Sequence, residues 1–150
     1  DSIRVRRTGP ILPVNVKTMP HPGFPTDMQP QMATMLCCAG GTSIISEGVW
    51  DNRFKYVDEL RKMGANIQVD GKVAVIEGVE QLTGAPVRAL DLRAGAAMLI
   101  AGLMADGCTE VEDIHHIERG YSDLVEKLNR LGADIRKVTC SDNETERALS

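Results

Sequence analysis

At 150 residues with 43% apolar side chains, the chain is long enough to bury one sizeable core and no more. Its net charge of −4 gives none of the basic footprint that nucleic acid requires. The cysteines, Cys37, Cys38, Cys108 and Cys140, lie in or beside apolar segments without CxxC spacing, which points to buried free thiols in a reducing cytoplasm rather than to disulfides or a zinc site. The longest nearly uncharged apolar run, residues 94–105, is too short to span a bilayer, and no targeting segment precedes it.

In chain order, residues 1–7 and 14–18 read as short extended segments joined by a Pro-rich connection. Thr26-Asp27 opens a helix over 28–39. Thr26 is an N-cap residue type, Met28, Met32, Met35 and Leu36 follow at helical spacing as core filling, and Gly40-Gly41 ends the run. A strand is predicted at 42–46, then a loop at 51–54 feeding a helix over 57–63 that stops at Gly64. Strands 66–69 and 72–76 flank Asp70-Gly71, a strong hairpin signal, with Ile67, Val69, Val73 and Val75 expected on one face. Strand 87–90, helix 93–106, strand 109–113, helix 123–131 and strand 134–138 follow, then a polar, aperiodic stretch at 141–150 that reads as a flexible tail.

Much of that order is written twice. Residues 27–53 align with 93–119 without a gap: Asp27 falls on Arg93, Met32 on Met98, Ala39 on Ala105, Gly41 on Gly107, Ser43 on Thr109 and Arg53 on Arg119. The second copy then runs two residues longer, so Gly64-Ala65-Asn66-Ile67 meets Gly132-Ala133-Asp134-Ile135. A period longer than that of the common solenoids suggests a supersecondary unit used more than once around one core. The first helix of each copy is apolar nearly all round, as a helix inside a core would be. The hairpin strands instead mix in polar residues, like a sheet solvated on one face. The expected fold class is therefore α/β: an inside-out α/β barrel of βαβαββ repeats, helices inside and sheets outside, with units at about 3–77 and 78–140.

Four ordered segments carry a specific resemblance. His21-Pro22-Gly23-Phe24-Pro25-Thr26-Asp27-Met28-Gln29, Asp51-Asn52-Arg53-Phe54, Asp91-Leu92-Arg93-Ala94 and Glu118-Arg119-Gly120-Tyr121 resemble the signatures of the enolpyruvyl transferases that act on UDP-N-acetylglucosamine, over roughly residues 3 to 138. The resemblance implies two domains of three such units each, with the active site between them. Residues 1–140 then correspond to the last two units of the C-terminal domain and supply half of a site, the N-terminal domain of the same enzyme being the missing partner. The implied reaction moves the enolpyruvyl group of phosphoenolpyruvate to the 3′-hydroxyl of UDP-N-acetylglucosamine by addition and elimination through a tetrahedral intermediate. That is the first committed step of peptidoglycan synthesis, and through the wall it bears on cell shape and division. No cofactor, metal, nucleic acid or membrane partner is implied, and the compartment is the cytoplasm. The fragment alone is expected to be inactive.

Chemistry gives the matched positions their meaning: such a site must deprotonate a hydroxyl, protonate a methylene carbon and hold two anionic substrates. By resemblance Asp27 meets the acceptor hydroxyl and is the candidate general base. Read alone, an Asp at a helix start is more often a cap. Arg53, Arg93 and Arg119 are the implied anion clamp, since guanidinium binds phosphate and carboxylate in a bidentate plane without losing charge; the plain alternative is ion pairing with Asp51, Asp91 or Glu118. Val49 matches a position whose backbone holds the sugar nucleotide. His21 reads as a loop residue, Trp50 as packing against a neighbouring unit, and His115 and His116 as facing opposite ways on an extended segment, which argues against a joint metal site. None of the cysteines matches the family's reactive thiol. A 5-enolpyruvylshikimate-3-phosphate synthase-like transferase, a non-catalytic anion-binding module and an RNA-terminal-phosphate cyclase-like protein remain as alternatives; the first of these would not be expected to carry the Phe-Pro-Thr-Asp-Met-Gln or Arg-Gly-Tyr segments.

Overall fold

The computed structural model describes residues 2–139, so Asp1, Cys140 and the stretch expected as a tail at 141–150 lie outside it. Residues 2–14 join no ladder, so of the two expected extended segments only the second enters a strand. β1 (Asn15–Lys17) is followed by a 3-10 turn at Thr26–Met28 that runs into α1 (Gln29–Leu36). Pro30 sits in the first turn of α1, where its missing N–H has no partner to lose. Then come β2 (Thr42–Ser46), α2 (Val57–Lys62), β3 (Asn66–Asp70) and β4 (Val73–Glu77). The second copy supplies β5 (Pro86–Arg88), α3 (Leu92–Met104), β6 (Glu110–Glu112), α4 (His115–Glu118) and α5 (Leu124–Arg130).

The content is mixed α/β. One sheet has the order β1-β2-β4-β3, with β1 and β2 parallel and the other pairs antiparallel; β5 and β6 form a second, parallel pair. Helix α1 packs on α3. The core gathers Leu36, Ile45, Leu60, Ile76, Val87 and Met98 from both copies, all fully buried. Among the described residues no helix is long and apolar enough to cross a membrane.

Several local expectations are corrected. The ladder closes at Asp70↔Val73, leaving Gly71-Lys72 as the loop, with Gly71 at φ +55° where a side chain would be strained. A two-residue loop sets odd positions of β3 opposite even positions of β4, so Ile67 pairs with Ile76 and Val69 with Ala74. Ala74 and Ile76 are therefore the buried pair on β4, and Val73 and Val75 point to the opposite face. The strand expected at 134–138 does not form. It has no hairpin partner among the described residues, and Asn129 holds Ile135 instead, donating to its carbonyl at 2.8 Å and accepting from its amide at 3.1 Å.

Of the three methionines expected as core filling, only Met32, half-buried, packs against the core. Pro30, Ala33, Thr34 and Leu36 form the inward face of α1, while Met28 and Met35 are exposed. On α3 the small residues Ala94, Gly95, Ala97 and Ala101 take the close contacts, which leaves the bulkier Ile100 and Leu103 open. Trp50 is 58% exposed rather than packed. Cys37 is buried and pushed up to about 12 by burial and by neighbouring Cys38, whereas Cys38 is half-buried and Cys108 exposed.

Candidate functional site

Asp27 lies in the 3-10 turn ahead of α1, and neither it nor Thr26 acts as a cap. Pro25 and Met28 hold the two cap positions, without a side-chain cap bond at either. The Asp27 carboxylate is instead shared by two guanidinium groups: Arg93 Nη2 donates to Oδ2 at 3.0 Å and Arg53 Nη2 to Oδ1 at 3.5 Å. These contacts join both copies of the repeat, and the closer one spans 66 positions, linking residues that are equivalent in sequence. The cluster faces solvent, with side-chain exposures of 56% for Asp27, 36% for Arg93 and 20% for Arg53. One carboxylate against two cations leaves a local surplus of positive charge.

Local structure aims each arginine. Asp91 caps α3, accepting from the amides of Arg93 and Ala94 at 2.8 Å each. Tyr121 Oη accepts from Arg93 Nη1 at 3.0 Å. That hydrogen bond, opposed in part by desolvation and reinforced by the charge of Asp27, raises the Arg93 guanidinium further above its usual value. Arg53 comes from the turn before α2, and its Nε–H is buried with no acceptor. The acids that offered plain ion-pair partners are engaged elsewhere: Asp51 with Lys72 at 2.7 Å, Asp91 with the α3 amides, Glu118 with Lys137. The Lys72 contact, first as hydrogen bond and then as charge, lowers Asp51.

Arg119 is not brought into this cluster. It follows α4, exposed, and among the described residues its side chain makes no hydrogen bond or ion pair. His115 and His116 lie within α4 rather than on an extended segment, so their rings sit side by side with centroids 4.1 Å apart. Among the described residues no three His, Cys, Asp or Glu side chains converge as metal ligands would.

Val49 is part of an arrangement that sequence reasoning missed. Its amide donates to Glu47 Oε1 at 2.9 Å, and the Trp50 amide does so at 3.1 Å. The same carboxylate accepts from Thr18 Oγ1 at 2.7 Å and, through Oε2, from Thr26 Oγ1 at 3.0 Å. Glu47 is only 3% exposed. Burial works to raise its pKa, but the bonds from Thr18, from the Val49 and Trp50 amides and from Thr26 outweigh it and hold the carboxyl below its ordinary value. A signal was present in the sequence: the repeat places another acid, Asp113, at the equivalent position.

With this geometry in place, the comparisons are consistent with one another. The family model described as EPSP synthase (3-phosphoshikimate 1-carboxyvinyltransferase) matches residues 1–128. The chain is 58% identical over 138 residues to UDP-N-acetylglucosamine 1-carboxyvinyltransferase 3 of Caldanaerobacter subterraneus subsp. tengcongensis, covering 92% of this chain and 33% of that protein. It is 57% identical over 135 residues to UDP-N-acetylglucosamine 1-carboxyvinyltransferase of Desulfofundulus thermocisternus, covering 90% of this chain and 56% of that one. Among solved structures, the enolpyruvyl transferase NikO from Streptomyces tendae superposes with a TM-score of 0.81 at 40% identity, over 89% of this chain and 31% of its own. The chain thus spans about a third to a half of the length of these proteins. On the extent of the family match and the identity to its members, this chain belongs to the EPSP synthase (3-phosphoshikimate 1-carboxyvinyltransferase) family, the enolpyruvyl transferases.

Proposed function

We propose that this chain is the C-terminal-domain portion of an enzyme that transfers the enolpyruvyl group of phosphoenolpyruvate to the 3′-hydroxyl of UDP-N-acetylglucosamine, opening peptidoglycan synthesis in the cytoplasm. The observation that carries the reading is the Asp27 carboxylate held between Arg53 and Arg93 at 3.5 and 3.0 Å on a solvent-facing rim. A base must sit where a hydroxyl can arrive, and two anionic substrates need fixed positive charge beside it. Asp27 accepts the proton of the attacking hydroxyl. Arg53 and Arg93 turn from Asp27 toward the incoming phosphate and carboxylate, and Arg119 adds its unpaired guanidinium from the loop after α4. With the Val49 amide committed to Glu47, the Val49 carbonyl is the backbone group left to meet the sugar nucleotide. The units at about 3–77 and 78–140 form two thirds of an inside-out barrel, helices inward, and the N-terminal domain closes the cleft from the other side.

The acceptor separates this reading from a shikimate-type transferase. The full-length protein is expected to release phosphate from phosphoenolpyruvate only when UDP-N-acetylglucosamine is present, and to bind that nucleotide rather than shikimate 3-phosphate in calorimetry. Binding and turnover with shikimate 3-phosphate alone would move the assignment to that sister chemistry. Anion binding without turnover on either acceptor would favour the non-catalytic module.

A further inference from the structure

We propose that Glu47 is a positioning residue: a buried bracket that fixes the Asp27 turn and the Val49–Arg53 loop to one another, so that base and anion-binding groups share a single anchor. The proposal rests on the functional reading above for its effect on turnover, though not for the anchor itself. Four bonds converge on this carboxylate, from Thr18, Thr26 and the amides of Val49 and Trp50. Thr18 Oγ1 also accepts from the Gly48 amide at 2.8 Å, tightening the same knot. Thr26 immediately precedes Asp27, and Thr18 leaves β1, so Glu47 clamps both ends of the 18–26 loop.

The second copy of the repeat is an internal control. There β5 lies parallel to β6 with Val87 opposite Val111, as Val16 lies opposite Ile45. Nine residues, 18–26, separate Lys17 from Asp27, while only four, 89–92, separate Arg88 from Arg93. Without the longer loop there is nothing to clamp. Ala89 stands where Thr18 would supply a hydroxyl, its amide bonded to the Glu112 carbonyl just as that of Thr18 is bonded to Ser46. Asp113, equivalent to Glu47, turns outward at 39% exposure and pairs with Arg88 at 3.0 Å. The carboxylate is buried only in the copy that carries the extra loop and the proposed base. A surface acid recruited merely for solubility would have no reason to differ in this way.

The test uses the full-length protein. Glu47→Ala leaves two hydroxyls and two amides without their acceptor, and displacement of a base by about 1 Å costs about 100-fold in rate. The expected result is a kcat lower by about 100-fold with KM for both substrates within about threefold. Glu47→Gln keeps the shape and Oε1, and is expected to recover most of the loss. Thr26→Val removes a single bond at constant volume and is expected to cost about tenfold in kcat, while Thr26→Ser, which keeps the hydroxyl, costs far less. Amide exchange reads the anchor directly: in Glu47→Ala the amides of residues 48–50 and 19–26 should exchange faster while those of β4 do not. A folded Glu47→Ala enzyme with kcat within about threefold of the parent overturns the proposal. If Glu47→Ala does not fold, Thr26→Val decides in the same terms. Should the parent protein prove inactive on UDP-N-acetylglucosamine, the functional reading falls, and unchanged exchange at 48–50 would remove the bracket as well.

Discussion

On the proposed function, the Asp27 carboxylate between Arg53 and Arg93 serves two ends: it is kept in place before substrate arrives, and it is released when anions take its partners. On that same reading, Asp27→Asn should bind both substrates nearly as before while turnover falls by about 100- to 10,000-fold, the usual range for a lost general base; near-normal steady-state kinetics would take Asp27 out of the chemistry. Glu47 carries a different expectation. Its carboxyl is held below the ordinary value of 4.5 in the folded protein, so the stability it contributes is complete above that value and is lost as pH falls through the lower folded one. Thermal melts from neutral pH down to about 3 should therefore fall more steeply for the parent than for Glu47→Gln. Cys37, protonated and buried, should resist alkylation that marks exposed Cys108, as peptide mass mapping can show. At this scale the sequence named Asp27, Arg53 and Arg93 because charged side chains at equivalent loop ends stand out. Glu47 went unread because its meaning lies in burial, and an acid after a strand looks like any solvated surface residue.

Between elements, close backbone contacts matter more than side-chain identity. Residues 78–84 run as a strap across the C-terminal ends of α1 and α3: the Gly78 amide donates to the Gly41 carbonyl at 3.0 Å, the Val79 amide to the Cys37 carbonyl at 2.7 Å, and the Gly84 amide to the Asp106 carbonyl at 2.7 Å. A Cβ on Gly78 would stand 1.6 Å from the Ala39 carbonyl oxygen, and only a backbone shift could relieve it. Gly78→Ala should then lower stability by at least about 1–3 kcal/mol, the common cost of overpacking, which urea denaturation can measure; an unchanged midpoint would mean the strap yields freely. Period and turn chemistry made β2, α2, the hairpin, α1 and α3 legible. The facing of β4 was misassigned although it too was legible: any two-residue loop, Asp70-Gly71 as much as Gly71-Lys72, sets odd positions of β3 opposite even positions of β4. Not legible were α4, a single turn whose His-His-Ile-Glu carries no periodic signal, and the fate of residues 134–138, which depends on a partner strand rather than on their own sequence.

For the molecule as a whole, the apolar faces left over are the telling feature. Ile100 and Leu103 on α3 remain open, and Leu103 lines a groove of about 490 Å³ together with Leu99, Val111, Ile114, Leu124 and Ile135. Large exposed apolar areas on an isolated chain tend to find partners, so the 150-residue piece should self-associate at micromolar concentration in sedimentation. Leu103→Lys should shift it toward monomer; a stable monomer before any change would show that the open helices are tolerated. The repeat announced that one core is built from two copies, while the Asp27–Arg93 contact between equivalent positions emerged only when they met in space. That contact is a meeting of one scaffold position with its own image, so the polarity of the site rests on which copy holds the acid. Exchanging the two, Asp27→Arg together with Arg93→Asp, conserves the charges but mirrors them. The double variant should recover the coupling lost in either single change, about 0.2–1 kcal/mol for so exposed a pair. On the proposed function, the full-length double variant should also stay silent in the transfer assay, because Tyr121 and Arg53 would then face the wrong partner: fold is indifferent to the reflection, and chemistry is not.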